Sequence, residues 1–262
     1  MAPPGLRDLR SMLWASIDND DSRDLDQLTV AEAMPDGRVK LFVAVADVVS
    51  LVVDGSAIDV FTRPATTAIY TAGGIFPMLP ERLSTDLTSL NPGGDRSSLV
   101  VEMVIDADGT LRDSDVYRAR VNNHAKLAYN GVAAWLEGRD GPPEALAAVP
   151  GLDEILRLQD KAAQSLKALR HAQGALSLET IQSKPVFDGD QIQSLEIEEK
   201  NRAKELIEDF MIAANGVTAR FLSARKFPSI RRVVRTPKRW ERIIDIAYDH
   251  GEKLPSEPNS KA

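Results

Sequence analysis

The amino-acid sequence predicts an α+β fold, in which a mixed, mainly antiparallel β-sheet from the first half of the chain packs against α-helices from the second half. Pairs of β-favouring runs joined by turn signals occur before residue 130, and apolar residues recur at helical spacing after residue 150. The 262 residues contain no repeat, low-complexity tract or convincing linker. We therefore interpret residues 1–262 as a single domain.

Two hairpins are predicted in the first half. The runs "LTVAEA" and "VKLFVAVADVV" flank "MPDGR", in which Asp and Gly favour a tight turn. A second pair of runs, "SSLVVEMVIDADGTLRDSDVYRARV", turns around Asp108 and Gly109. Proline and glycine punctuate residues 71–94 between them, which indicates a loop-rich connection.

Two helices are predicted in the second half, because apolar residues there recur three or four positions apart. The first covers 152–170 and the second covers 203–221. Their apolar positions are Leu152, Ile155, Leu156, Ala162, Ala163, Leu166 and Leu169 in the first helix, and Ala203, Leu206, Ile207, Phe210, Ala214, Val217 and Phe221 in the second.

Composition and charge limit the classes of chemistry open to the chain. The absence of cysteine excludes disulfides, thiol nucleophiles and cysteine-bound zinc, and it suits a reducing compartment. The most apolar run, 41–53, is too short to span a bilayer, and the N-terminus lacks the apolar core of a signal peptide. We therefore expect a soluble, cytoplasmic protein without a membrane partner. The net charge of −7 disfavours a general polyanion-binding surface, although residues 220–242 are strongly basic.

The stretch "SIDNDDSRDLDQ", residues 16–27, places five aspartates directly before a predicted strand. In an extended segment Asp24 and Asp26 point to the same side, and Asp18 returns to them across a short loop. Converging carboxylates repel one another unless hard cations neutralise them, and oxygen-only ligands suit Mg²⁺ or Mn²⁺. Two such ions can activate water and stabilise the leaving oxygen in phosphodiester cleavage. The aspartates therefore indicate a candidate site for metal-dependent hydrolysis.

Other interpretations of the acidic stretch remain open or are excluded by spacing. A solvated acidic turn is the main alternative, because Asp and Asn favour turns by hydrogen bonding to their own backbone. A calcium loop of the EF-hand type is excluded, since Arg23 occupies the position of the required glycine and Thr29 that of the bidentate glutamate. The histidines are scattered and indicate no nucleophile–base pair.

Six sequence blocks are similar, in order and spacing, to those of a known family. They are "SIDNDDSRDLDQ" (16–27), "VAVADV" (43–48), "IYTAGGIFPMLPERLSTDLTSLNPGGDR" (69–96), "KLAYNGVAAWLE" (126–137), "QGALSLE" (173–179) and "AKELIEDFMIAANGVTA" (203–219). Together they resemble the catalytic (RNB) domain of the ribonuclease II/ribonuclease R family. The resemblance runs from about residue 11 to the end of the chain.

This resemblance implies an RNB-type fold and a processive, Mg²⁺-dependent hydrolase that removes nucleoside 5′-monophosphates from the 3′ end of single-stranded RNA. Asp18, Asp24 and Asp26 match three of the family's four active-site aspartates. Tyr129 matches the tyrosine that helps to hold the terminal nucleotide, and Tyr70 the one that packs on bases at the end of the channel. Such aromatic rings supply the stacking that sequence-tolerant RNA binding needs. Without the surrounding blocks, both tyrosines would be interpreted as half-buried core residues.

Further RNA contacts are implied by the last block and the basic segment that follows it. Glu208 and Asn215 are seven residues apart, share one helical face and are interpreted as RNA-binding or supporting residues. The alternatives for these two are a buried hydrogen-bonded pair and side chains that face solvent. Arg231 and Arg232, in "PSIRRVV", are expected to meet the RNA backbone or helix carboxylates, with Arg232 chosen as the RNA-binding residue. No organic cofactor is expected, and no protein partner is indicated.

The chain departs from the family pattern at two places. Gln27 stands where the family has a fourth aspartate; its carbonyl oxygen can bind a metal but supplies no charge, so the second ion is expected to bind more weakly. The chain also ends at "LPSEPNSKA", before the family's "SPIRRYPDL"-like block and its arginine. The leading hypothesis is an exoribonuclease; the alternatives are a catalytically weak or inactive RNA-binding remnant and a protein that binds metal for structure only.

Overall fold

The computed structural model describes residues 6–71, 74–176, 182–189, 191–198, 200–231 and 238–259. These ranges contain ten strands: β1 (Arg7–Asp8), β2 (Trp14–Asp18), β3 (Gln27–Ala33), β4 (Val39–Ala46), β5 (Ile69–Thr71), β6 (Gly74–Phe76), β7 (Asp95–Ile105), β8 (Leu111–Ala128), β9 (Gln182–Asp188) and β10 (Gln191–Glu198). They also contain six α-helices: α1 (Ala57–Thr62), α2 (Tyr129–Leu136), α3 (Glu144–Ala147), α4 (Leu152–Ala172), α5 (Arg202–Ala224) and α6 (Trp240–Asp249). A short 3-10 helix covers Val48–Ser50, and a π-helical turn covers Leu83–Leu87. Over these ranges, no helix combines the length and apolar character that crossing a bilayer requires.

The main sheet contains six strands in the order β1-β8-β2-β3-β4-β7, and β7 also pairs with β8. Strand β8 is 18 residues long. Its residues 111–122 lie antiparallel to β7, and its residues 123–128 lie parallel to β2. The strands β8, β2, β3, β4 and β7 pair in series, and the pairing of β7 with β8 closes this series into a ring. The closure also places the C-terminal ends of β2 and β8 side by side, with Asp18 opposite Ala128.

Alternate residues along the strands face two separate cores. On β4, Leu41 and Val43 belong to a core that includes residues of α2, α4 and α5, whereas Phe42 and Ala44 belong to a second core. The fully buried members of the second core come from strands and loops, and the rings of Trp14 and Phe42 meet edge to face there. The period of two therefore buries both faces of this strand.

Helices α4 and α5 cover the first core, and ion pairs between their described residues include Lys167 with Glu205 at 2.8 Å and the two that follow. Arg202 donates two hydrogen bonds to Asp160, at 2.7 and 2.6 Å. Arg170 donates to Asp209, a carboxylate that is only 4% exposed, at 2.6 Å. The side chain of Asn201 caps the start of α5 by accepting a hydrogen bond from the amide of residue 204.

The α+β class, both predicted hairpins and both predicted helices are confirmed, whereas the single-domain interpretation of residues 1–262 stays a prediction. Two further hairpins, β5–β6 and β9–β10, lie in segments that were not predicted to contain strands. The register of β9–β10 shifts between Ile192 and Ser194, and the described side chains of β10 are exposed. A strand that is bulged and whose described side chains are exposed does not show the alternation of apolar and polar residues by which strands are predicted from a sequence.

Gly109, in the β7–β8 turn, is expected to tolerate no side chain. Its φ is +85°, and a Cβ atom would lie 2.3 Å from the backbone oxygen of Ser165 on α4. Gly37, in the β3–β4 turn, has a similar φ of +83° but open space around it. Gly37→Ala should therefore lower the free energy of unfolding by about 1 kcal/mol through backbone strain alone. Gly109→Ala should lower it by about 3 kcal/mol, because helix α4 must also move.

Urea unfolding of both variants measures this difference. Equal losses would mean that the β7–β8 turn does not pack against α4 as described.

Candidate functional site

Residues 18–26 form the aspartate loop, which connects β2 to β3. Asp18 is the last residue of β2, and Leu25 lies buried in the second core with 1% exposure. Its neighbours Asp24 and Asp26 are half-buried and exposed, respectively. The buried leucine therefore anchors the loop, and the two aspartates beside it stay accessible.

The block that contains "SLNP" supports the aspartate loop from one side. The hydroxyl of Ser89, which is 2% exposed, accepts a hydrogen bond from the Leu25 amide at 2.9 Å and donates to the Arg23 carbonyl at 3.0 Å. The Leu90 amide donates to the Leu25 carbonyl at 2.9 Å. These contacts satisfy the backbone of the loop at the point where Leu25 enters the core.

The C-terminal part of β8 supports the other side of the loop. The ammonium group of Lys126 donates to the carbonyls of Asp20 and Ser22 at 3.1 and 2.7 Å. The buried side chain of Asn123 donates to Ser16 at 3.0 Å and to the carbonyl of Leu90 at 2.8 Å, which ties β8, β2 and the "SLNP" block together. The aspartate loop is therefore held between two segments that are distant in sequence.

Two of the predicted site carboxylates share a contact, and one of them also contacts a predicted tyrosine. The hydroxyl of Ser22 lies 3.2 Å from Asp18 Oδ2 and 3.3 Å from Asp24 Oδ1. The phenol of Tyr70 donates to Asp24 Oδ2 at 3.0 Å. The expectation that Asp18 returns to the Asp24 side of the loop is thereby confirmed, and Tyr70 reaches the carboxylates directly.

The pKa values of the loop reflect crowded negative charge. Asp26 is exposed as a residue, but the pKa of its carboxyl is raised to about 6, first by partial loss of contact with water and then by the charges of Asp24 and Asp18. The pKa of Asp18 is raised mainly by partial burial, which outweighs the hydrogen bonds that it accepts from the Asn19 amide and the Ser22 hydroxyl. A divalent cation in the loop would favour the ionised form of each carboxylate.

The carboxylate oxygens of the aspartate loop suit a hard cation that keeps part of its coordination shell as water or phosphate, rather than one that is fully enclosed by protein ligands. Within the described ranges, no three His, Cys, Asp or Glu side chains are arranged to enclose a metal ion. Mg²⁺ commonly binds one or two carboxylates and completes its shell with water and phosphate oxygens. Asp18 and Asp24, which share the Ser22 hydroxyl, fit that kind of site.

Gln27, the expected fourth metal ligand, is the first residue of β3 and pairs with Val45. Within the described part of the chain, no hydrogen bond joins its side chain to an aspartate of the loop. Strand alternation places Gln27 on the side of Thr29, opposite to Leu28. A ligand role for Gln27 stays a prediction.

Two clefts include residues of the aspartate loop in their lining, and Asn19 lines both of them. The Tyr129 cleft, of about 810 Å³, is polar and is lined by Asn19, Asp20, Ala128, Tyr129, Asn130, Gly131, Ala133, Glu137, Arg139, Glu196, Ile197, Lys200, Asn201 and Lys204. The Tyr70 cleft, of about 780 Å³, is more apolar and is lined by Asn19, Asp21, Ser22, Arg23, Asp24, Tyr70, Thr71, Gly74, Ile75, Pro77, Glu81, Ser84, Thr85, Pro185 and Phe187. Both clefts are large enough for a nucleotide.

The predicted aromatic residues occupy different clefts. Tyr129 begins α2, and the ammonium group of Lys204 lies 6.0 Å from the centre of its ring. Tyr70 lies opposite Ile75 in the β5–β6 hairpin, is 64% exposed and faces the second cleft. Phe187, on β9, lines the same cleft and is 43% exposed. The structure therefore adds Phe187 to the candidate stacking residues.

Two further predicted RNA contacts, on α5, do not join this site. Glu208 and Asn215 are exposed on α5, and Glu208 pairs with Lys200 at 3.2 Å; neither lines one of the two clefts. The alternative of a buried hydrogen-bonded pair is therefore wrong. Arg232 lies outside the described residues. Arg231 donates to the carbonyl of Ala219 at the C-terminal end of α5, at 3.1 Å.

Comparison with known proteins agrees with this geometry. The RNB domain family matches residues 6–259 of the chain. The chain belongs to the RNB domain family. Ribonuclease R of Vibrio parahaemolyticus is 36% identical over 237 residues, which are 90% of this chain and 28% of that protein. Ribonuclease R of Escherichia coli K12 is 35% identical over 234 residues, which are 88% of this chain and 28% of that protein.

The RNB fold is also seen in a solved structure. Mycoplasma genitalium RNase R in complex with ribose-methylated single-stranded RNA matches with a TM-score of 0.87 and 26% identity, over 99% of this chain and 40% of that chain. The RNB-type fold implied by the six sequence blocks is confirmed. The chain spans about 28% of the length of the two curated relatives, so the activity of those whole proteins is not transferred to it directly.

Sequence reasoning missed the residues that support the RNB aspartate loop. Ser89 and Lys126 bond to it from 64 and 104 residues away. Both stand inside blocks that carried the family resemblance, "SLNP" and "KLAY", and this position was the only available signal. No sequence signal indicated Phe187, since it lies in the β9–β10 hairpin, which was not predicted.

Proposed function

We propose that this RNB chain is a 3′→5′ exoribonuclease that hydrolyses single-stranded RNA to nucleoside 5′-monophosphates with Mg²⁺, or Mn²⁺ in its place. The observation that supports the proposal best is the position of the aspartate loop. Residues of the loop line two clefts that share Asn19, each cleft also contains a tyrosine, and Asp24 lines the Tyr70 cleft. A phosphodiester between two bound nucleotides would lie over the carboxylates of this loop.

The metal ligands in this proposal are Asp18, Asp24 and Asp26, with Gln27 as a neutral ligand of the second ion. The cations would activate water and neutralise charge on the leaving oxygen, the two requirements of phosphodiester hydrolysis. The crowded carboxylates and the hydroxyl that links Asp18 to Asp24 support this assignment. Because Gln27 is uncharged, the second ion should require a higher Mg²⁺ concentration than a fourth aspartate would give.

The two clefts differ in a way that suits the two sides of the scissile bond. The polar Tyr129 cleft contains Lys200, Lys204 and Arg139, which can contact a phosphate, and its tyrosine can stack on the terminal base. The more apolar Tyr70 cleft offers Tyr70 and Phe187 to upstream bases. Stacking of this kind holds single strands of any sequence, because every base has a π face.

The proposal is tested by a time course on a 5′-labelled single-stranded oligoribonucleotide, with Mg²⁺ and with EDTA. We expect metal-dependent release of 5′-mononucleotides and a ladder that shortens from the 3′ end. Binding of the RNA without release would contradict the proposal and favour the non-catalytic RNA-binding alternative. A metal-dependent shift in melting temperature without RNA binding would favour a purely structural metal site.

A further inference from the structure

Lys126 connects the closed sheet to the aspartate loop through backbone carbonyls. It lies on β8 opposite Ser16 of β2, two positions before the pair of Asp18 and Ala128. Its ammonium group donates to the carbonyl of Asp20 at 3.1 Å and to that of Ser22 at 2.7 Å. The backbone of Lys126 thus lies on the strand that pairs with β2, and its ammonium group reaches the middle of the aspartate loop.

The contact with Ser22 has a direct connection to the carboxylates. The carbonyl of Ser22 accepts from Lys126, and its hydroxyl lies 3.2 Å from Asp18 and 3.3 Å from Asp24. Residues 19–26 contain no regular helix or strand. The position of the hydroxyl that joins the two carboxylates therefore depends on contacts from outside the loop, of which Lys126 makes two.

The partly buried ammonium group also carries positive charge beside a cluster of negative charge. Its attraction favours the ionised form of Asp18. Loop geometry and local charge consequently depend on the same side chain.

We propose that Lys126 is a positioning residue, which holds the aspartate loop in the arrangement that binds a divalent cation. The identity of the reaction rests on the proposed function, but the effect on the loop does not. Lys126 touches neither cation nor RNA in this role; it acts through Ser22, Asp18 and Asp24. Supporting contacts of this kind typically contribute 10- to 100-fold to metal affinity or activity.

Three variants of the 262-residue chain test the inference. Lys126→Met keeps the approximate length of the side chain but removes its positive charge and its hydrogen-bond donors. Lys126→Arg keeps the positive charge and the donors. Lys40→Met is the matched control, because Lys40 lies in the same sheet and its ammonium bonds the side chain of Glu102 at 2.6 Å. Loss of a surface ion pair changes stability little and should leave the loop unchanged.

The first measurement is amide hydrogen exchange of the peptide that contains residues 18–26, in EDTA. We expect faster exchange in Lys126→Met only. The second measurement is Mn²⁺ binding by calorimetry without RNA, for which we expect about tenfold weaker binding in Lys126→Met and recovery in Lys126→Arg. Unchanged exchange and unchanged Mn²⁺ affinity in Lys126→Met would overturn the inference.

Kinetics separate a positioning role from general destabilisation. In an active chain, Lys126→Met should lower kcat at a fixed Mg²⁺ concentration and leave KM for RNA nearly unchanged. A wild-type chain that binds Mn²⁺ without releasing nucleotides would contradict the proposed function, while exchange and Mn²⁺ affinity would still decide the role of Lys126. Equal exchange and affinity changes in Lys126→Met and Lys40→Met would overturn the inference, since only one of these lysines contacts the loop.

Discussion

Asp26→Asn is expected to reduce nucleotide release by about 100-fold or more while the chain remains folded and still binds RNA. The substitution keeps the shape of the side chain and removes the negative charge of one of the three proposed metal ligands. It also relieves repulsion, because burial and the charges of Asp24 and Asp18 raise the pKa of the Asp26 carboxyl to about 6. In EDTA near neutral pH, the variant should therefore be more stable than wild type, by roughly 1 kcal/mol after allowance for solvent screening.

Asp113→Asn is the matched control for this prediction. Asp113 is an exposed residue of β8 that lines neither cleft, and its side chain accepts a hydrogen bond from the Ser114 amide, which the asparagine oxygen can also accept. The control should keep activity close to that of wild type. Full activity in Asp26→Asn, or an equal loss in both variants, would mean that Asp26 is not a specific ligand; the thermal melts in EDTA test the predicted gain in stability.

Arg170→Met is expected to lower the free energy of unfolding by about 3–5 kcal/mol near neutral pH. Asp209 lies on α5 with 4% exposure, and the described hydrogen bond to its carboxylate comes from Arg170 at 2.6 Å. Burial raises the pKa of Asp209 even with that arginine present, so loss of water outweighs the attraction. Without the arginine, the folded chain must either keep an uncompensated buried charge or bind a proton.

The loss caused by Arg170→Met should depend on pH in a defined direction. A carboxyl whose pKa is higher in the folded state than in the unfolded state makes the fold less stable as pH rises from the unfolded pKa, about 4, through the folded one. The variant raises the folded pKa further, so its loss should be small near pH 4 and should grow toward neutral pH. Denaturant unfolding across this range measures the effect.

The double variant Arg170→Met/Asp209→Asn separates charge from packing. Removing the buried charge as well should recover more than half of the lost stability near neutral pH. A loss that is equal at all pH values, or no recovery in the double variant, would show that the packed stem of Arg170 matters more than its charge.

The parts of the fold that were predictable are those with local signals. The "MPDGR" and Asp108–Gly109 turns lie between runs of the correct period, and α4 and α5 bury regular apolar stripes. Closure of the sheet was not predictable, because it depends on one half of β8 pairing with β7 and the other half with β2. No local pattern records where a long strand changes its partner.

The same distinction applies to the RNB site. Asp18, Asp24 and Asp26 are neighbours in sequence, so their meeting follows from a short loop. The contacts that support the loop do not follow from sequence spacing. Ser89 and Lys126 are distant in sequence, and the folded sheet brings them to the loop. Sequence spacing therefore indicated that the carboxylates lie close together, whereas only the folded chain shows which residues hold the loop that carries them.

The presence of Asn19 in the lining of both clefts has a consequence for how a strand would bind. Asn19 belongs to the aspartate loop, so a strand that occupied both clefts would pass along this loop. Under the proposed function, the bond that is cut would then lie at a fixed distance from the 3′ end of the strand, whatever its bases are.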